Sequence, residues 1–162
     1  GLSPHGTTRQ TDLSQKQGKK FIEIYFDKYP GIKNYLEEIK EQCRNTGYVE
    51  TLLGRRRYLH DINSSNHRIR SQAERAAINM PIQGTAADII KIAMINIQKR
   101  IDDLKLESLM TLQVHDELIF DVPNNEISQI ESIITELMPS AVSLSVPLTV
   151  EINIGSNWGK LK

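Results

Sequence analysis

Leu109-Met110-Thr111-Leu112-Gln113-Val114 and Leu118-Ile119-Phe120-Asp121-Val122, separated by His115-Asp116-Glu117, decide the fold of this chain. Two short β-prone runs with so brief an interruption read as an antiparallel hairpin. Tight hairpin turns favour Asn-Gly, Asp-Gly or another glycine pair, because the central residues often need φ > 0. This turn holds no glycine and sets two acids side by side. Their repulsion destabilises the turn, so selection for stability alone does not choose it. A hard divalent cation such as Mg2+ resolves the conflict, since it takes carboxylate oxygens and keeps positions free for water and phosphate. Strand residues alternate in direction, so on this reading Asp116 and Glu117 divide into one ligand and one auxiliary acid. An exposed polar turn with a solvated His-Asp pair fits the same residues. His115 suits a general acid, a phosphate donor or a plain turn residue, and Gln113 alone decides nothing.

The flanking sequence is helical. Ser14 with Gln17 three residues on reads as a capping box after Asp12-Leu13. Phe21, Ile22, Tyr25, Phe26 and Tyr29 then recur at helical spacing. Pro30 stops that helix and opens the next, whose apolar residues are Ile32, Tyr35, Leu36 and Ile39, with Gly47 as its breaker. Tyr48 to Leu53 reads as a strand, Gly54 as its turn and Arg57-Tyr58-Leu59 as a short return. Ser64-Ser65-Asn66 caps a third helix running to about Asn79, where Pro81 interrupts it. A separate helix is predicted from Thr85 to Leu104, and another after Pro123-Asn124-Asn125-Glu126. Val146, Leu148, Val150, Ile152 and Ile154 alternate as a last strand. Helices come first and strands pair late, so the class is α+β with an antiparallel sheet packed on helices.

Composition bounds the rest. The 162 residues are 39% hydrophobic and 25% charged, with a formal net charge of zero. These ordinary values exclude a disordered tail, a collagen-like chain and a disulfide scaffold. Cys43 is the single cysteine and cannot form an intramolecular bridge, which favours a reducing, cytosolic setting. No apolar run is long enough to span a membrane, and Gly1-Leu2-Ser3-Pro4-His5-Gly6 has no signal core. The chain also lacks an initiator methionine, as a processed chain or an excised fragment would.

Zero net charge conceals a separation. Between Ile101 and Glu151 ten acids face one base, Lys105. The segment from Arg55 to Arg75 holds six arginines (Arg55, Arg56, Arg57, Arg68, Arg70, Arg75) against Asp61 and Glu74. Such asymmetry fits a polyanion footprint beside an acidic, cation-holding site, or equally a solvated basic hairpin and a solvated acidic helix. Arg75, Asn79 and Gln83 fall at i, i+4 and i+8, so on one continuous helix they share a face. Amide and guanidinium donors in a row can meet the acceptors that every base pair presents in the minor groove. Gly84, Ala86 and Ala87 permit close approach by another backbone or by nucleic acid. The plainer alternative makes Asn79 a cap near Pro81 and leaves Gln83 solvated.

Taken together, these stretches resemble the A-family DNA polymerases, the bacterial DNA polymerase I group. Gln113-Val114-His115-Asp116-Glu117-Leu118 is similar to the family's palm hairpin. The run from Arg75 to Asp88 is similar to its duplex-contacting segment. Tyr48-Val49-Glu50-Thr51 with Gly54-Arg55-Arg56-Arg57-Tyr58 is similar to its fingers hairpin, and Phe21-Ile22-Glu23 with Tyr25-Phe26 and Tyr29-Pro30 to the preceding helix. Glu151 to Gly155 with Trp158 is similar to its C-terminal strand and tail.

The resemblance implies a fingers remnant over residues 1–69 and a palm portion over 70–162. It implies that Asp116 binds the catalytic Mg2+ pair, with Glu117 as its supporting acid. His115 and Gln113 would contact the primer terminus and its duplex. Asn79 and Gln83 would touch the minor groove near the nascent pair, and Arg75 the primer-side duplex. Arg55, Arg56, Arg57, Arg68 and Arg70 would neutralise phosphates. The implied chemistry is two-metal transfer of a nucleotide from dNTP to the 3′ end of a primer-template.

The family's other catalytic aspartate lies in an Asp-Tyr-Ser-Gln-Ile-Glu type string, and no such string occurs here. The nucleotide-binding fingers helix is missing too, and Gly1-Leu2-Ser3 resembles the stretch just after its final tyrosine. The isolated chain is therefore expected not to polymerise DNA without the remainder of the polymerase. It is also expected to expose apolar surface and to oligomerise. The alternatives are a stand-alone duplex-binding module and a split-polymerase subunit completed by another chain. A metal hydrolase using Asp116, Glu117 and Asp121 is disfavoured, because Asp121 lies about 13 Å along the strand from Glu117.

Overall fold

The computed structural model describes residues 11 and 13–161. Asp12 and the Gly1-Leu2-Ser3 start lie outside the described residues. The chain divides into two compact units, Gly1–Thr85 and Ala86–Lys162.

In the first unit, α1 (Gln15–Lys28) begins with the capping box that Ser14 and Gln17 predict. Gln17 N–H donates to Ser14 Oγ at 3.4 Å, and Ser14 N–H donates to Gln17 Oε1 at 2.9 Å. Pro30 opens α2 (Pro30–Thr46), where its missing N–H costs nothing. Gly47 closes that helix in the left-handed region at φ 79°, which glycine adopts without steric penalty. Strands β1 (Tyr48–Glu50) and β2 (Arg56–Tyr58) pair antiparallel, Tyr48 opposite Tyr58 and Glu50 opposite Arg56. Thr51-Leu52-Leu53, predicted as strand, forms the turn instead. There Thr51 Oγ1 accepts Arg55 N–H at 3.1 Å and Gly54 adopts φ 81°.

A 3₁₀ turn (His60–Asn63) leads to Asn66, whose Oδ1 accepts Arg68 N–H at 3.0 Å as the predicted cap. The core of this unit joins Ile39 and Cys43 of α2, Val49 of β1, Leu59 and Ile62 to Ala73, Ala77 and Met80 of the following helix. Phe21, Ile24 and Tyr25 on α1, Tyr29 between the helices, and Ile32 and Tyr35 on α2 remain exposed.

That following helix, α3, runs unbroken from His67 to Leu104. The interruption predicted at Pro81, and the separate helix from Thr85, are both corrected. Proline removes a single ladder bond. The buried contacts of Ala77 and Met80 hold the helix on the N-terminal side. Thr85 Oγ1 donates to Pro81 O at 2.5 Å and accepts Leu52 N–H at 2.9 Å, which ties the β1–β2 turn to this stretch.

In the second unit, Ile97 and Ile101 of α3 pack with Ile130, Ile133 and Ile134 of α4 (Ile127–Leu137). The predicted hairpin is present as β3 (Leu109–Val114) and β4 (Glu117–Asp121), and Met110, Leu118 and Phe120 lie against that core. The register slips between Met110 and Leu112, leaving Thr111 as an extra residue whose hydroxyl donates to Ile119 O at 3.0 Å. Such a bulge sharpens the twist of a strand pair. Val146–Ile154 forms no strand, correcting the prediction. Val150 and Ile152 do pack inward, without a hydrogen-bonded partner, whereas Val146 and Ile154 at the ends of the run are exposed. Among the described residues no helix is long and apolar enough to cross a membrane.

Candidate active-site hairpin and nucleic-acid interface

The β3–β4 ladder closes with Val114 opposite Glu117, so the turn proper contains only His115 and Asp116. His115 takes the positive φ that a glycine would otherwise supply, at 54°. Gln113 steadies this strained residue, its Nε2 donating to His115 O at 3.0 Å. Gln113, His115, Asp116 and Glu117 are all exposed. Among the described residues neither acid of the pair has a hydrogen-bonding or ion-pairing partner, and no three His, Cys, Asp or Glu side chains converge on one point. The tip therefore offers two free, hard oxygen donors, which fit part of a divalent-cation site and leave further ligands to come from elsewhere. Asp121 pairs with Leu109 at the far end of the ladder and cannot join them.

Within the first unit, Arg75, Asn79 and Gln83 are exposed on the unbroken α3. Eight residues of helix carry this row over about 12 Å, the span of roughly three to four base steps at 3.4 Å each. The remaining arginines differ in their surroundings. Arg55 Nη2 donates to Gly84 O at 2.9 Å, and Arg70 Nη1 to Ser64 O at 2.8 Å. Arg56 pairs with Glu50 at 2.6 Å and lies 4.5 Å from the centre of the Tyr48 ring. Among the described residues the guanidinium groups of Arg57, Arg68 and Arg75 have no such partner, so they are the ones free to meet phosphate.

Sequence reasoning missed two positioning elements. Glu126 is only 7% exposed, and its carboxylate accepts Glu107 N–H and Ser108 N–H at 3.0 Å each and Ser108 Oγ–H at 2.5 Å. It thereby fixes the approach to β3. Nothing in its spacing distinguishes it from the other acids of this stretch. Thr85 is the second, and a hydroxyl residue four positions after a helical proline was the available signal. Gly84 is packed by protein rather than left open, since a Cβ there would stand 2.6 Å from Thr51 Cγ2.

The family model for DNA polymerase family A matches residues 1–160. The chain belongs to DNA polymerase family A. Over all 162 residues it is 47% identical to a DNA polymerase I of Lactococcus lactis subsp. cremoris, and over 159 residues 50% identical to that of Mycobacterium leprae. It spans 18% of the length of each of these family A relatives. Among solved structures it is similar to the POL domain of Pol1 from M. smegmatis in complex with DNA primer-template and dNTP. The TM-score is 0.94 at 47% identity, over 98% of this chain and 28% of that one.

Proposed function

We propose that these residues are the fingers-remnant and palm portion of a DNA-directed DNA polymerase, with residues 1–69 in the first role and 70–162 in the second. The reading is carried by the hairpin tip, where two unpartnered carboxylates stand at an exposed, glycine-free turn. Asp116 is the residue to hold Mg2+, with Glu117 supporting it. When bound, Mg2+ supplies the charge that favours a primer 3′-alkoxide and a negatively charged α-phosphate. The protein's own part is positional. The strand pair holds Asp116 at its tip, Gln113 fixes the His115 carbonyl, and the His115 ring stays free to meet the primer terminus. Asn79 and Gln83 present amide donors to minor-groove acceptors, which checks pair shape without reading sequence. Arg75, Arg57 and Arg68 neutralise backbone phosphates, while Arg55, Arg56 and Arg70 support the basic hairpin and the start of α3.

No Asp-Tyr-Ser-Gln-Ile-Glu type string occurs in these residues, so the second catalytic carboxylate comes from another segment or another chain. The 162 residues alone then bind primer-template without extending it. The exposed apolar side chains of α1 and α2 are where the remainder of the polymerase, or a second copy, would pack. A cytoplasmic setting suits the single reduced cysteine. The test is duplex DNA binding measured by fluorescence anisotropy across a salt series. Arg75→Ala should weaken binding and lower the salt slope by about one. Gln83→Ala should weaken binding while leaving the slope unchanged. Equal affinity for DNA and an uncharged polymer, or no salt dependence, would overturn the reading.

A further inference from the structure

One face of the β1–β2 hairpin carries a ladder of rings. Tyr48 and Tyr58 are register partners, with ring centroids 5.6 Å apart at 60°. Arg56 caps the Tyr48 end at 4.5 Å and is itself held by Glu50. At the other end the rings of Tyr58 and His60 lie within 11° of parallel, 6.3 Å between centroids. Val49 points the opposite way and is completely buried, so it pins the hairpin to the core and turns the ladder outward. Tyr58 is 59% exposed and His60 is also exposed.

Cross-strand packing accounts for Tyr48 against Tyr58. It does not account for His60, which lies beyond the strand in the 3₁₀ turn and still aligns its ring with Tyr58. Two nearly parallel, solvent-facing rings form a platform for a third flat ring. Arg57, next in sequence to Tyr58, pairs across the strands with Val49 and so projects from the other face of the hairpin. Solvent-facing aromatic rings on which bases stack are one way proteins hold single-stranded nucleic acid.

We propose that Tyr58 and His60 form a stacking site for an unpaired base of single-stranded DNA. Inside a duplex both faces of each base are covered by neighbours, so away from the terminal pairs only an unpaired base has a face to offer. The proposal rests on the polymerase reading in taking DNA as the ligand.

The test uses the 162-residue chain and two labelled DNAs. One is a blunt duplex. The other is the same duplex with a four-nucleotide 5′ overhang carrying 2-aminopurine, whose fluorescence is quenched on stacking. The wild-type chain should bind the overhang DNA more tightly and quench the probe. The double variant Tyr58→Thr/His60→Ser should lose about ten-fold in affinity for the overhang DNA, lose the quenching, and hold the blunt duplex within two-fold. Tyr58→Phe should retain both signals. Equal losses on both DNAs, or an unquenched probe with the wild-type chain, would overturn the stacking site while leaving the polymerase reading intact. Binding of neither DNA would overturn both. Should the double variant unfold by circular dichroism, wild-type quenching and the Tyr58→Phe comparison decide alone.

Discussion

Val114 and Glu117 face each other as the closing pair of the β3–β4 ladder, and the chain reverses between them through His115 and Asp116 alone. The turn accordingly places a non-glycine residue at φ 54° beside an acid that nothing in the described residues neutralises. Both features cost stability, and both fit the proposed role of this tip in holding a cation and a DNA end.

The strain at His115 is measurable. A left-handed conformation costs an ordinary residue about 1–2 kcal/mol, and glycine's extra freedom in the unfolded chain offsets part of any relief. His115→Gly should therefore stabilise the protein by about 0.5 kcal/mol. His115→Val should destabilise it by about 1–2 kcal/mol, because β-branched residues fit this region worst. Urea unfolding gives both values. Equal stability of the Gly and Val variants would show that the turn is not strained.

Gly84 lies in a helix, where alanine is normally the better residue by about 1 kcal/mol. Here a Cβ would stand 2.6 Å from Thr51 Cγ2, and Thr51 is itself buried. Gly84→Ala should cost about 1–3 kcal/mol as overpacking. Thr51→Ser deletes the offending methyl but keeps the hydroxyl that accepts Arg55 N–H. A double-mutant cycle by urea unfolding should show most of the loss recovered when the two changes are combined. Strictly additive losses would contradict the contact.

Glu126 links stability to pH. The Ser108 hydroxyl foremost, then Glu107 N–H, hold its carboxyl below the usual range; burial opposes them, and Ser108 N–H adds a smaller lowering. A depressed folded-state value means that the contribution is complete above the unfolded-state value of about 4.3. It is lost as pH falls through the lower folded value. Glu126→Gln should thus lower the unfolding midpoint at pH 7, and the gap from wild type should close on acidification below about pH 4. A gap that is constant or widens toward acid would refute the role.

Much of this architecture was legible because local chemistry set it. The Ser14–Gln17 box, Pro30 at the start of α2, Gly47 at its end and the hairpin around His115 each depend on residues within a few positions. The errors arose where distant packing outweighed a local rule. Pro81 reads as a break, yet Ala77, Met80 and the Thr85 hydroxyl carry α3 through it. Val146–Ile154 alternates as a strand should, but pattern cannot supply a hydrogen-bonded neighbour. Glu126 was invisible because its partners, Ser108 and Glu107, stand 18 and 19 residues away. At the candidate site, residue types and spacing nominated Asp116, Glu117 and the Arg75–Gln83 row. Which arginines are free and which are held by Gly84, Glu50 or Ser64 needed coordinates.

Asp116 is proposed to hold the catalytic cation, with the other carboxylate coming from outside these 162 residues. The direct measurement replaces the matching segment of the Lactococcus lactis DNA polymerase I with these residues and follows primer extension in Mg2+. The chimera should extend primers, and the same chimera with Asp116→Asn should bind primer-template normally but extend it more than about a hundred-fold more slowly, since charge stabilisation at the reacting oxygens is lost. Extension by the Asp116→Asn chimera at the rate of its parent would show that Asp116 does not hold the catalytic cation.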